Sequence, residues 1–179
     1  MILFMKKIFA LLPCLALLAA CQEEPSPYLP DPDPSALRVV VNPTSSGLTT
    51  DDLAANTTVK LTIANRSETY DVEIGKGTYF SSKHNEMMLK DGSYFKSVSE
   101  YTVDRLIVDF YEGQSGNFAV YANAAGSGEA VTAHESKIQA SDPDDGGKVW
   151  EYKIDSTGWM LKNTQYKAGI YSITVVFSI

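Results

Sequence analysis

The C-terminal run Tyr171, Ile173, Val175, Phe177 and Ile179, with Ser172, Thr174 and Ser178 between its members, constrains the fold more than any other stretch. Apolar residues at every second position give an extended strand one hydrophobic face, because successive strand side chains point to opposite sides. The run reaches the last residue of the sequence, so its end is expected to be paired in a sheet.

The same period recurs upstream. Leu37, Val39 and Val41 alternate with Arg38, Val40 and Asn42, and Val59, Leu61 and Ile63 with Lys60, Thr62 and Ala64. Tyr70, Val72 and Ile74 face one way, and Asn65 to Glu68 form the turn of a hairpin before them. Thr78 to Phe80 reads as a further strand, and Ser81 to Met88 as a loop or one helical turn. Asp91-Gly92 marks a tight turn between Met87-Met88-Leu89 and Tyr94-Phe95. Leu106, Val108 and Phe110 share a face, as do Phe118, Val120 and Ala122, with Glu112 to Gly116 between the two strands. Gly126 to Gly128 opens a loop, and Thr132 to Ile138 reads as a short helix or an irregular crossing. Trp150, Tyr152 and Ile154 alternate with Glu151 and Lys153. About eight or nine short strands without a long helix imply an all-β fold, an antiparallel sandwich in preference to a barrel.

The approach to the last strand, Tyr166-Lys167-Ala168-Gly169-Ile170-Tyr171, resembles the Ala-Gly-x-Tyr closing strand of secreted immunoglobulin-like domains in bacterial adhesins and pilus subunits. That likeness implies an immunoglobulin-like sandwich over residues 37–179, with Gly169 permitting a turn before the buried face begins.

The N-terminus addresses location. Lys6 and Lys7, an apolar run from Ile8 to Ala20 and small residues before a cysteine form a secretion signal. The run is shorter than the about 20 apolar residues that span a bilayer. Leu18-Ala19-Ala20-Cys21 resembles the lipobox of bacterial lipoproteins, which implies cleavage after Ala20, acylation of Cys21 and a membrane held through that lipid. The alternative is an ordinary secretion signal with an incidental cysteine. Gln22-Glu23-Glu24 resembles the acidic export signal of surface lipoproteins in Bacteroidetes, which implies an outer-membrane, surface-facing location. Pro25, Pro27, Pro30, Pro32 and Pro34 follow, so residues 21–36 read as a tether. At about 3.1 Å per residue in polyproline geometry, Gln22 to Ala36 would hold the domain up to roughly 45 Å from the lipid.

Charge excludes some partners. The chain carries −7 overall, and both lysines of the signal leave with residues 1–20, so the mature chain is more acidic still. Nucleic acid is therefore not an expected partner, since binding it needs a basic patch. Of the two cysteines, Cys14 leaves with the signal and Cys21 is taken by lipid. No disulfide remains, so stability must come from burial. A domain of about 150 residues can bury roughly 68–70% of its unfolded surface, which makes that feasible.

No residue set reads as catalytic, and no cofactor is implied. His84 and His134 are far apart in sequence, with Glu86 and Glu135 near them, and lack the spacing and thiolates of a zinc site. Gly113-Gln114-Ser115-Gly116-Asn117 approaches a nucleophile elbow but has Asn117 where its last glycine belongs, so a turn is expected. Asp142, Asp144 and Asp145 are calcium candidates. Their loop departs from the helix-loop-helix pattern at Gly146 and Lys153, and a solvated hairpin turn is the expected reading. Asp155-Ser156-Thr157 resembles the O-glycosylation acceptor of Bacteroidetes. Adjacent aromatics at Tyr79-Phe80, Tyr94-Phe95 and Phe110-Tyr111 can send one ring inward and the other outward. Tyr79, Tyr94, Tyr111 and Trp159 are thus candidates for a glycan- or protein-binding platform, with Trp159 ahead of Trp150 because it follows Gly158.

The leading expectation is a non-enzymatic, lipid-anchored envelope protein that presents a sandwich for binding or adhesion. One alternative is a fimbrial subunit joined by strand exchange. Lipidated pilins of Bacteroidetes resemble this layout, with cleavage after a basic residue such as Arg38. Another alternative is a small ligand-binding barrel with a deep pocket.

Overall fold

The structure, a computed structural model, describes residues 26–44, 56–64 and 66–178. The signal, Cys21, the acids after it, Asn65 and Ile179 lie outside the described residues. Among the described residues ten antiparallel strands form one curled sheet. They are β1 (Arg38–Val41), β2 (Thr57–Thr62), β3 (Thr69–Ile74), β4 (Thr78–Ser81), β5 (Glu86–Leu89), β6 (Tyr94–Phe110), β7 (Phe118–Tyr121), β8 (Ala133–Glu135), β9 (Lys148–Asn163) and β10 (Ala168–Phe177). The chain is an all-β antiparallel sandwich, with more strands than the eight or nine expected.

The long strands β6 and β9 pair from Tyr94↔Lys162 to Phe110↔Lys148, with register shifts between Val98 and Arg105. Ser99 to Thr102 is inserted on one strand, and Asp155, at φ 47°, is inserted on the other. Unpaired insertions bend a strand and increase its twist, so the ladder folds at this point. Before the bend β6 also pairs with β3, and beyond it with β10. The other edge of β9 pairs with β8 in its first half and with β7 in its second. The two halves of the sheet therefore face each other, and Tyr70 of β3 meets Phe177 of β10 edge-on with ring centroids 5.0 Å apart.

Period-two segments behave as expected: Val39 and Val41, Val59 and Leu61, and Tyr70, Val72 and Ile74 are buried, with exposed or half-exposed residues between them. The hairpin of β2 and β3 pairs Thr57↔Ile74 through Thr62↔Thr69. Two local expectations change. Ser81 to Met88 is a β4–β5 hairpin rather than a loop or helical turn, and Asn85 takes the positive φ of 54° that asparagine tolerates in a turn. Thr132 to Ile138 contributes the edge strand β8 in place of a helix, because β9 offers it free backbone groups. Asp91-Gly92 does turn the chain, closed by the Ser93 amide donating to the Lys90 carbonyl at 3.0 Å. The turn carries it across β10, and β5 and β6 pair with opposite edges of that strand.

From Arg105 to Phe110 every residue of β6 is buried. Leu106, Val108 and Phe110 enter the core, while Ile107 packs with Val149 and Val176 beneath Ala36 and Ala140. The proline-rich segment thus lies along the outer face of the sheet over its described length and does not stand off from it. Buried Arg105 holds it: Nη1 donates to the Pro30 carbonyl at 2.7 Å and to Glu151 Oε2 at 2.9 Å, and Nε donates to Asp104 at 2.6 Å. Glu151 also accepts from Ser136 Oγ at 2.6 Å, and Asp109 accepts from Ser141 Oγ at 2.6 Å. No helix among the described residues is long and apolar enough to cross a membrane.

Arg105→Ala leaves Glu151 without its buried counter-charge, which costs about 3–5 kcal/mol. Urea denaturation should show that loss, and limited proteolysis should cut faster between Pro27 and Ala36. Unchanged stability would mean that Arg105 is not what fixes the segment.

Candidate functional site

The β4–β5–β10 corner brings several of the sequence-identified residues together. Directly opposed residues of a ladder share a face. Tyr79 pairs with Met88 and Met88 with Gly169, so these three form one row across the sheet. Ser81 pairs with Glu86, and continuing the β5–β10 register sets Tyr171 beside Glu86 in the next row. The opposite face of the same strands carries Met87 and Ile170 into the core.

Gly169 is the gap in this surface. It lies within β10 and not at a turn, and a Cβ there would come within 2.8 Å of Met88 Sδ and 2.9 Å of Tyr111 Cβ. Glycine is needed for close approach, which corrects the turn role implied by the resemblance. Tyr111 reaches this place because the 3-10 segment Tyr111–Asn117 folds back at the end of β6, through Glu112 at φ 46° and Gly113 at φ 67°. Two bonds fix that fold: Gln114 Oε1 accepts from the Gly169 amide at 2.8 Å, and Asp142 Oδ2 accepts from the Glu112 amide at 2.6 Å.

The result is a cluster of rings around a carboxyl group. Tyr111 meets Tyr171 at 5.6 Å and 66°, and His84 meets Tyr111 at 5.5 Å and 54°. The Lys167 ammonium lies 5.6 Å from the Tyr79 ring centroid. Tyr171 donates to Asp142 Oδ2 at 3.4 Å. Glu86 is only 4% exposed, and its Oε2 has no hydrogen-bond partner. Burial raises the Glu86 pKa above the ordinary carboxyl value, against the lowering effects of Ser81, His84 and Lys167. The hydrogen bond to Glu112 pushes Tyr111 up to about 12, and burial first, then Asp142 and Glu86, raises Tyr171.

Tyr79 and Tyr111 therefore converge, and Asp142 supports them. Sequence reading missed Glu86 as a functional group, and it missed Tyr171, which it took only as the start of the last buried face. Tyr94 belongs to another contact set. Its hydroxyl donates to Glu73 at 2.6 Å, which pushes its pKa up to about 12, and Lys96 stands 5.2 Å from its ring. Trp159 is a correction. β9 continues through Gly158, and Trp159 is fully buried with Nε1 donating to Tyr70 Oη at 2.6 Å. Gly158 admits the backbone of Ala124, whose amide nitrogen would lie 3.3 Å from a Cβ there. Trp150 is the half-exposed tryptophan, 6.0 Å from Lys148 Nζ.

Asp144 and Asp145 lie exposed in the short 3-10 turn Pro143–Asp145, while Asp142 is engaged in tying that loop to Tyr111–Asn117. Among the described residues no three His, Cys, Asp or Glu side chains are grouped to hold a metal ion. His134 is in β8, with Nδ1 3.4 Å from the Pro27 carbonyl, and does not join His84. Surface depressions of about 270 Å³ beside Asp71 and Lys96 and about 480 Å³ beside Lys60 and Glu100 lie on the other part of the sheet.

A carboxyl whose folded pKa is raised favours the protonated form on folding. Its stabilising contribution is complete below the unfolded value of about 4.5 and is lost as pH rises through the folded pKa. Glu86→Gln should therefore melt higher than wild type above that window, with the gap closing toward pH 4. Thermal melts of both proteins across this range measure it, and a gap that is constant with pH would show that Glu86 is ionised at no cost.

Neither models of known protein families nor curated proteins match this chain.

Proposed function

We propose that this chain is a lipid-anchored cell-envelope protein that presents a non-enzymatic β-sandwich for binding or adhesion to a glycan or protein ligand. The anchor follows from the lipobox-like Leu18-Ala19-Ala20-Cys21 behind a secretion signal. The observation that carries the binding reading is the corner at Gly169, where Tyr79, Tyr111 and Tyr171 stay half-exposed around a buried, unsatisfied carboxyl. Half-exposed aromatics combine apolar area with a polar tip, which suits them to interfaces. Docking of Pro27 to Ala36 on the sheet takes that stretch out of the extended length that would separate lipid and domain.

The position of β1 gives the fimbrial reading one supporting observation. This four-residue strand lies along β10 with Val39 and Val41 in the core, and Arg38 precedes that apolar pair. A strand so short is a segment that a second copy could replace. SDS-resistant ladders lost on deleting residues 37–42 would favour it, and strictly monomeric behaviour would count against it.

Metabolic labelling with a fatty-acid analogue tests the anchor. Wild type should label and Cys21→Ala should not, and protease shaving of intact cells should release the domain. Failure of both to label removes the lipid, whereas labelling with full protease protection places the domain inside and argues against adhesion.

A further inference from the structure

We infer that the cleft between β3 and the β6 insertion receives an extended, basic segment of a partner protein, added as a strand along the side of β3 that β6 leaves. The inference rests on reading the domain as a binding module, and it names the partner's chemistry and the surface that meets it.

Four observations lead to it. First, the β3–β6 ladder is cut short. Among the described residues it holds only Glu73↔Lys96 and Ile74↔Phe95, while β2 pairs with β3 from Thr69 through Ile74. Continuing the register would set Asp71 opposite Val98 and Thr69 opposite Glu100, but β6 turns away there into its insertion. Second, the backbone points into the gap. Ser97 Oγ donates to the Asp71 carbonyl, so that carbonyl faces β6, and the amide and carbonyl of Thr69, two residues back on the strand, face the same side. The insertion turns its own polar groups on itself, with Ser99 Oγ donating to the Tyr101 carbonyl at 2.9 Å and accepting from the Tyr101 amide at 3.1 Å. A strand side left in this way is a template for another strand. Third, there is room. The depressions of about 270 and 480 Å³ meet at Asp71 and Val98 and follow the seam from Glu73 to Glu68. At about 3.4 Å per residue, that length takes roughly four or five extended residues. Fourth, the lining selects charge. Lys60 pairs with Asp71 at 2.7 Å and Lys96 with Glu73 at 3.1 Å, which leaves Glu68 and Glu100 on the larger depression without an ion-pair partner among the described residues. Val98, 69% exposed, lines the same depression and offers the stem of a lysine or arginine an apolar rest. Unpaired acids alone would attract any cation, but beside an open strand they favour a basic peptide.

The test uses the mature chain in detergent and four probes followed by NMR titration: an acetylated, amidated Thr-Lys-Val-Lys-Thr peptide, the same peptide with glutamates for lysines, the lysine peptide with its backbone amides N-methylated, and cellotriose. The lysine peptide should shift the Thr69 and Asp71 amides and slow their exchange with deuterium, and the other three probes should not. Glu68→Gln with Glu100→Gln should weaken binding about tenfold, the loss of charge-assisted contacts. Val98→Lys should abolish it, while Asp144→Asn, in a distant turn, should leave it unchanged. The substituted side chains are exposed, and melting curves confirm that each variant is folded. Equal binding of the glutamate peptide overturns the inference, as does full affinity of the N-methylated peptide, shifts that avoid β3, or no binding of the lysine peptide at its solubility limit. Binding of cellotriose alone overturns the peptide and leaves the binding module standing. Lysine-peptide binding by a domain that stays protease-protected in cells would do the reverse.

Discussion

Every other part of this molecule is placed by the pairing of β6 with β9. A straight two-stranded ribbon of this length would expose both faces and could not enclose a core. The insertions at Ser99 to Thr102 and at Asp155 break the ladder near its middle and let the ribbon fold. Each half then recruits its own neighbours: β3 and β7 on one side of the bend, β10 and β8 on the other. The core is the space between the halves, and its largest fully buried side chain, Trp159, is supplied by β9 itself. Its indole bonded to Tyr70 joins β9 to β3, and Tyr70 against Phe177 joins that pair to the facing half.

A sheet folded in this way still has outer faces, and one of them is not left to water. The outward residues of β6 and β9 include Arg105, Asp109 and Glu151, which are too polar to bury without partners. Each finds its partner on a segment that covers it: Arg105 on Pro30, Asp109 on Ser141, Glu151 on Ser136. A buried ion pair adds little stability over an apolar one of the same shape, but a misplaced one is costly. The network therefore acts mainly on position. It selects where the proline segment lies, since a shift would strip the guanidinium of the Pro30 carbonyl. A composition suited to a free spacer becomes part of the folded body through one arginine that lies far from it in sequence.

Period-two alternation made the strands legible wherever one face is buried and the other wet, as in β1, β2 and β3. It was silent where β6 runs through exposed and half-exposed residues from Val98 to Thr102, and where β9 buries four consecutive residues from Gly158 to Leu161, so neither continuation could be read. Gly158 looked like a loop marker because a strand-breaking residue and a close-approach residue are the same residue. That single ambiguity moved Trp159 from the core to an expected surface. β8 was missed for a different reason: three residues at an edge carry no period, and they pair because β9 offers free backbone groups.

The site was half legible. Tyr79 and Tyr111 announced themselves as members of adjacent aromatic pairs, a local signal that follows from strand geometry alone. Glu86 and Tyr171 did not, because what distinguishes them is register. A carboxylate on a short strand is unremarked until the ladder sets it opposite Ser81 and beside a glycine over which Met88 and Tyr111 close. Gly169 ties the two levels together. Its missing side chain lets Tyr111 descend onto the sheet, and its amide holds Gln114, so the loop that carries Tyr111 is fixed by the residue that makes room for it. A ring and an acid held this way on paired strands have little freedom to collapse onto each other. The carboxyl keeps an unsatisfied oxygen at the foot of the rings, where Met88 and Tyr111 close over Gly169 and bring it no donor.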